Sequence, residues 1–267
     1  MHILEQSHIY WKDMSGFSKV LIPTDFSKNA NHAVEDALGL PGLHEVIVQH
    51  VVSTYFEKHP HWSTLFDIHE NQKYLDMYAE TEMAKVPRPP DKGVIYRSVI
   101  SEGKPAQQIV ELAEKEKVDA IVMGPARGVV TAQVIQAATR PVLVIPESDR
   151  QCKALQNISR ILVTTDCSPF SRMIVDYAFQ LKQLLHCELF LLHVIELDDA
   201  AVKMRSWAKI QLENMTPLRF FSDASVHRLV EEGPVSDKIA ESAAAYSVDL
   251  VILGAQGYGP VEKHFVG

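Results

Sequence analysis

What this chain has little of narrows it first. Three cysteines (Cys152, Cys167 and Cys187) among 267 residues form an odd set without metal-ligand spacing, which excludes a disulfide framework and implies reduced thiols in a reducing compartment. No apolar run approaches the roughly 18 residues that a membrane span needs. The opening stretch, MHILEQSHIYWKDMSG, lacks the basic start and unbroken apolar segment of a secretory signal, so a cytoplasmic address is expected. Basic residues are outnumbered by acidic ones, 26 to 34, giving a formal charge of −8 with no Lys/Arg run. Nucleic-acid backbones are bound by clustered positive charge that displaces counterions, so nucleic acid is excluded and a small ligand or another protein is expected. Also missing are a P-loop lysine motif, a Ser-Gly-Gly-x-Asp-Ser pyrophosphatase loop and a paired acid and base at one strand end, which argues against rapid catalysis.

What the chain does have is repetition. A hydrophobic fraction of 46% with 22% charged residues is that of a globular protein, and the length suits two domains, each with its own core. Apolar periodicity gives strand, helix, strand, helix, and then the same order again. The run Val20-Leu21-Ile22-Pro23-Thr24-Asp25-Phe26-Ser27 matches Ile161-Leu162-Val163-Thr164-Thr165-Asp166-Cys167-Ser168 at an offset of 141. Val46 to Val52 matches Leu189 to Ile195, each with a His-Val pair (His50-Val51, His193-Val194), at an offset of 143. Glu102-Gly103 followed by Val118-Asp119-Ala120-Ile121-Val122-Met123-Gly124 matches Glu232-Gly233 followed by Val248-Asp249-Leu250-Val251-Ile252-Leu253-Gly254, at an offset of 130. Short apolar runs of this kind are strands buried on both faces, and Asp-x-Ser after the first of them starts a helix. The alternation predicts right-handed β-α-β crossovers and an open parallel sheet in each repeat. Ligands of such sheets sit outside the carboxyl ends of the strands, where the strand order switches. Asp25 and Asp166, Val51 and Val194, Gly124 and Gly254 fall at those ends.

After the fourth strand of the second repeat, Gly254, Gly257 and Gly267 are spaced so that backbone N–H groups can close on an anion, with a helix N-terminus expected near Gly267. With the two strand-Thr-Asp-x-Ser openings, the two His-Val tails, the Val-Asp-x-[IV]-[VI]-x-Gly signatures and Pro141-Val142-Leu143-Val144-Ile145, the chain from about Phe17 onward resembles the universal stress protein family in its tandem, two-domain form. The resemblance implies two open parallel-sheet α/β domains of the adenine nucleotide alpha hydrolase-like kind, packed as an internal pseudo-dimer. It implies residues 1–148 as the first domain, 149–157 as a linker and 158–267 as the second. It further implies an ATP, ADP or AMP site with Mg²⁺ bridging phosphate oxygens, formed by Thr164, Thr165, Asp166, Val194, Leu253, Gly254, Gly257 and Gly267. In that site the Asp166 carboxylate accepts from the nucleoside, the Val194 main chain reads the adenine edge, and the glycine amides hold phosphates. Pro23, Asp25, Val51, Gly124, Arg127 and Gly128 make up a weaker counterpart in the first repeat.

Two departures from the family pattern bear on this. Gly254 and Gly267 stand thirteen positions apart, but Gly124 and Gly128 only four. A loop that short cannot wrap a triphosphate, so the first domain is expected to be degenerate, with Arg127 left to pair with an anion. The chain also ends at Gly267, where the family would supply a Ser or Thr, a last helix and a fifth strand, so the second domain is expected to be incomplete.

Each sharp reading has a plainer one beside it. Asp25 and Asp166 would also serve as strand-end residues capping the next helix. Thr164, at the position of Pro23, needs only a structural explanation, and His50 and His193 read as hydrogen-bonded core histidines rather than general bases. Tyr55, Phe56, His59, His61, Trp62, Phe66 and His69 lack fixed Zn²⁺-ligand spacing and are expected to form an insertion packing on the sheet or a partner. Cys167, in a helix-initiating turn, is expected to be inert rather than activated. The leading expectation is a nucleotide-binding regulatory protein of the stress-response type, a non-enzyme or at most a slow ATPase, whose partners are itself and an unknown regulatory protein. A nucleotide-dependent transferase and a non-binding interaction module are the alternatives. The strand Val142–Ile145, bounded by prolines, is expected at a sheet edge, covered by the second domain or by a second chain in a homodimer.

Overall fold

The computed structural model describes residues 16–52, 68–89, 93–125, 128–146, 157–196 and 201–254. They fall into two compact units, one beginning at Phe17 and the other at Asn157. The first unit runs β1 (Lys19–Pro23), α1 (Lys28–Ala37), β2 (Glu45–Val52), α2 (Ile68–Met83), β3 (Ile95–Glu102), α3 (Pro105–Glu116), β4 (Ala120–Met123), α4 (Val129–Ala137) and β5 (Val142–Val144). All of its strand pairs are parallel, in the order β3-β2-β1-β4-β5. The second unit runs β6 (Arg160–Thr164), α5 (Pro169–Leu185), β7 (Glu188–Ile195), α6 (Ala201–Met215), β8 (Val226–Glu232), α7 (Val235–Ala245) and β9 (Leu250–Ile252), again all parallel, in the order β8-β7-β6-β9.

The central strands are apolar on both faces because both faces are covered. Val20, Leu21 and Ile22 of β1, like Ile161, Leu162 and Val163 of β6, are completely shielded from solvent. On one face of the first sheet, Leu21, Ile47 and Ile121 pack against Ile109 and Ala113 of α3 and Val134 of α4. In the second, Leu162, Phe190 and Leu192 pack against Ile239 and Ala243 of α7. In each unit the chain moves outward from the first strand to the second and third, then crosses back to place the fourth on the first strand's other side. The reversal between β1 and β4, and between β6 and β9, is the switch point where neighbouring loops diverge.

The repeated motifs that do not face this switch point have structural explanations. Asp119 and Asp249, the acids of the Val-Asp signature, lie at the amino ends of their strands. The Asp119 carboxylate accepts from Lys19 N at 2.8 Å, and that of Asp249 from Ser159 N and Arg160 N at 2.8 and 2.9 Å. Each ties strand four to the start of strand one by occupying N–H groups beyond the end of the ladder. Gly103 and Gly233 turn the chain from strand three into the next helix with φ of 135° and 141°, backbone that disfavours any other residue. β4 is buried throughout, whereas Val251 and Leu253 at the corresponding position of the second unit are exposed. In the first unit β5 pairs along that strand and Val134 of α4 packs against Ile121 and Met123.

Before β8, Asp223 gathers Ser225 Oγ and N at 2.6 and 2.9 Å and the largely buried Lys182 Nζ of α5 at 3.1 Å. The Ser225 hydroxyl and amide, then the Lys182 ammonium, hold the Asp223 carboxyl down at about 2. A carboxylate depressed in the folded state stabilises the fold fully above its unfolded value of about 4, and that contribution is lost as pH falls toward the folded value. Urea titrations between pH 5 and pH 3 are therefore expected to show the parent losing more stability than Asp223→Asn; parallel losses would show that the cluster does not act through its charge.

Candidate functional site

At the carboxyl end of the first strand both units build the same turn. The N–H of Thr24 donates to Gln49 O of β2 at 2.8 Å and that of Thr165 to Leu192 O of β7 at 2.9 Å, the last bonds between strands one and two. The threonine hydroxyl then accepts from the amide two residues on, Phe26 N or Cys167 N, at 3.0 Å in each unit. The aspartate does likewise: Asp25 Oδ1 accepts from Ser27 N at 3.0 Å, and Asp166 Oδ1 from Ser168 N at 2.9 Å. Finally Ser27 Oγ accepts from Ala30 N, and Ser168 Oγ from Ser171 N, at 3.2 and 3.1 Å, capping α1 and α5. The helix caps are thus the serines and not Asp25 and Asp166, which corrects the plainer reading of these acids. Asp25 and Asp166 brace the turn by their own backbone neighbours and remain exposed at the sheet's carboxyl end.

The turn is strained in a particular way. Phe26 and Cys167 have φ of 64° and 62°, left-handed backbone that costs an ordinary residue roughly 1–2 kcal/mol. The other non-glycine residues with positive φ among those described, Lys117, His186 and Ser247, all sit at helix ends, where this conformation is a normal stop. In the turns it is held by the side-chain bonds just given, worth about 1 kcal/mol each.

Beside each turn stands the end of strand two. In a parallel ladder the N–H and C=O of one residue face the same neighbour, and successive residues alternate sides. Leu192 O faces β6 and Ile195 O faces β8, where it accepts from Gly233 N at 3.0 Å. Val194 therefore turns both main-chain groups toward β6, one step beyond the last bond of that ladder. Val51 does the same toward β1, since Gln49 O bonds Thr24 N and Val52 O accepts from Gly103 N. An exposed carboxylate and an unladdered donor–acceptor pair thus stand at the carboxyl ends of neighbouring strands, beside the switch point of each sheet.

The remaining predicted residues divide. Thr164 is the last residue of β6, paired in register with Leu192, and Pro23 holds the same place opposite Gln49. Thr165 is buried, its hydroxyl spent on Cys167 N and on Ser171 Oγ at 2.7 Å, so its part is to shape the turn. Leu253 and Gly254 follow β9 at the same end as Asp166. A Cβ on Gly124 would stand 3.4 Å from Asn29 O in the first turn of α1, an ordinary van der Waals contact, so neither packing nor a left-handed φ requires glycine at this position. Gly128 is the residue before α4, with open space around it. Gly257, Gly267 and Arg127 lie outside the described residues, as do Cys152 and the aromatic stretch from Tyr55 to Phe66. Among the described residues no group of three His, Cys, Asp or Glu could hold a metal, and no helix is long and apolar enough to cross a membrane.

The Cys167 thiol is not activated by the helix it precedes. Burial first, and the Asp166 carboxylate second, push it up to about 11, against a small opposing effect from Thr165.

The universal stress protein family pattern matches residues 16–146 and again 157–267. The chain belongs to the universal stress protein family, as two tandem domains. Universal stress protein MJ0577 of Methanocaldococcus jannaschii is 30% identical over 153 residues, 48% of this chain and 94% of that protein. MJ0531 of the same organism is 27% identical over 150 residues, 51% of this chain and 85% of that one. A universal stress protein structure from Archaeoglobus fulgidus shares the fold over 91% of this chain and 86% of its own, with a TM-score of 0.68 at 20% identity.

The sequence reading missed the left-handed residues of the two turns and the use of Thr24 and Thr165. The one available signal was that Thr-Asp-x-Ser recurs complete, hydroxyl included, in both repeats. With its thiol raised from an ordinary 9.0 to about 11, Cys167 should carry about a hundredfold less thiolate near neutral pH. Site-resolved mass spectrometry after iodoacetamide treatment is expected to find Cys167 slow in the folded protein and fast in urea; fast labelling of the folded protein would contradict the buried setting.

Proposed function

We propose that this universal stress protein binds an adenine nucleotide in its second domain and acts as a nucleotide-dependent regulatory protein rather than a turnover enzyme. The observation that carries the reading is that the exposed Asp166 carboxylate and the unladdered N–H and C=O of Val194 stand at the carboxyl ends of the neighbouring strands β6 and β7, beside the β6/β9 switch point. One donor and one acceptor on the same strand edge complement the ring nitrogen and exocyclic amine of adenine, and a carboxylate at the mouth of the crevice accepts from ribose hydroxyls. Gly254, Gly257 and Gly267, at the sequence spacing of a phosphate-cradling loop, would hold the phosphates through their amides, with Mg²⁺ bridging phosphate oxygens. In the first domain the four-residue step from Gly124 to Gly128 leaves room for a smaller anion at most, so Asp25 and Val51 form the weaker site.

Regulation follows from the same chemistry: a loop that closes on phosphate changes its order with occupancy and so changes what a protein partner meets. The apolar edge strand β5 is paired on one side, to β4, and would be covered on the other by a second copy of this chain. Calorimetry with ATP is expected to give one site per chain. Asp166→Ala and Gly257→Val should each weaken binding at least about tenfold, a step of about 1.4 kcal/mol, while Asp25→Ala leaves it unchanged. Two equivalent sites, or unchanged affinity in folded Asp166→Ala and Gly257→Val proteins, would overturn the assignment.

A further inference from the structure

His50 and His193 stand one residue before Val51 and Val194, with side chains on the opposite face of the sheet from theirs. His193 Nδ1 lies 2.8 Å from Thr165 O, and His50 Nδ1 lies 2.8 Å from Thr24 O. A carbonyl only accepts, so the proton is on Nδ1 in both rings and the imidazole is the donor. The residue at the left-handed position packs on the same ring. Phe26 stacks on His50 with centroids 4.3 Å apart, and Cys167 Sγ is 3.6 Å from His193 Nδ1.

The carbonyl that each imidazole occupies belongs by ladder geometry to another donor. With Thr165 N bonded to Leu192 O, the next rung of a regular parallel ladder would run from Val194 N to Thr165 O. In the first unit it would run from Val51 N to Thr24 O. Among the described residues neither rung is made, and the histidine side chain takes the acceptor in each unit. A buried carbonyl must find a donor, and here the donor it finds is one that leaves the strand-two amide unspent.

We propose that His193 and, in the first domain, His50 are positioning residues that substitute for the last ladder rung: the imidazole N–H satisfies the threonine carbonyl, fixes the peptide plane that carries the aspartate, and leaves the Val194 or Val51 amide open to a ligand. The consequence for ligand affinity rests on the nucleotide reading above; the consequence for the Val194 amide does not. Removing the imidazole lets Val194 N close on Thr165 O, which consumes a recognition group and releases the braced turn.

The test uses the full chain with three variants. In His193→Asn the Nδ2 donor is attached to Cγ as Nδ1 is, so the bond to Thr165 O is retained. His193→Gln moves the donor one bond away, and His193→Leu keeps apolar volume without a donor. Amide exchange is expected to slow at Val194 at least about tenfold, and to quicken at Cys167 and Ser168, in the Leu and Gln variants but not in the Asn variant. ATP affinity should fall at least about tenfold in Leu and Gln and stay near the parent value in Asn. A packing role would give the reverse order, with Leu like the parent and Asn impaired, and that result overturns the proposal, as does unchanged Val194 exchange in the Leu variant. Should the parent bind no ATP, the nucleotide reading fails by itself, and the Val194 exchange pattern alone decides for or against the substituted rung.

Discussion

A strand buried on both faces has no side chain to offer a ligand. β1 and β6 are such strands, completely shielded along Val20–Ile22 and Ile161–Val163, and this burial constrains everything built on them. It demands helices on both faces, hence parallel strands and crossover connections. It also confines chemistry to the strand ends, where the ladder stops and backbone groups must find other partners. At the amino ends these partners are Asp119 and Asp249, which take the first amides of strand one and close the edge. At the carboxyl ends the solution is different: the threonine, aspartate and serine of the turn satisfy one another, the histidine satisfies the threonine carbonyl, and strand two is left one rung longer than its neighbour.

The two domains share this solution to within a few tenths of an ångström in their turn hydrogen bonds, yet differ around it. The ring of His50 is stacked under Phe26, which in turn meets Tyr78 of α2 edge-on. The ring of His193 faces Cys167 and the edge of Trp207 of α6. α5 is seventeen residues long where α1 has ten, and Lys182 near its end reaches the Asp223 cluster. The strand ends are therefore the part held constant, while the helices that cover the sheet have been rebuilt. That pattern fits a turn whose geometry is constrained by more than the need to start a helix.

Much of the fold was legible because its signals are local. Three matched segments at regular offsets, each an apolar run ending in a polar turn, announced two parallel-sheet domains, and Asp25 and Asp166 could be placed at strand ends from position alone. The strand-two valines could be named too, since the His-Val pair falls where each apolar run stops. What these valines do with their backbones was not legible, because it depends on register: only the pairing of Thr165 N with Leu192 O shows which way Val194 faces. Cys167 reads equally as an activated and as an inert thiol until burial and the Asp166 charge are weighed.

By itself the sequence determined the duplication, the parallel α/β class, and which end of each sheet carries the unusual residues. These follow from hydrophobic period and turn composition, which act within a few residues of chain. Only the tertiary structure decided that Ser27 and Ser168 cap the helices in place of the aspartates, that Phe26 and Cys167 are held left-handed, and that His50 and His193 take carbonyls the ladder would have used. The caps and the left-handed residues turn on backbone dihedrals, the histidine bonds join residues 26 and 28 positions apart, and hydrogen bonds across strands are set by register, which no local pattern contains.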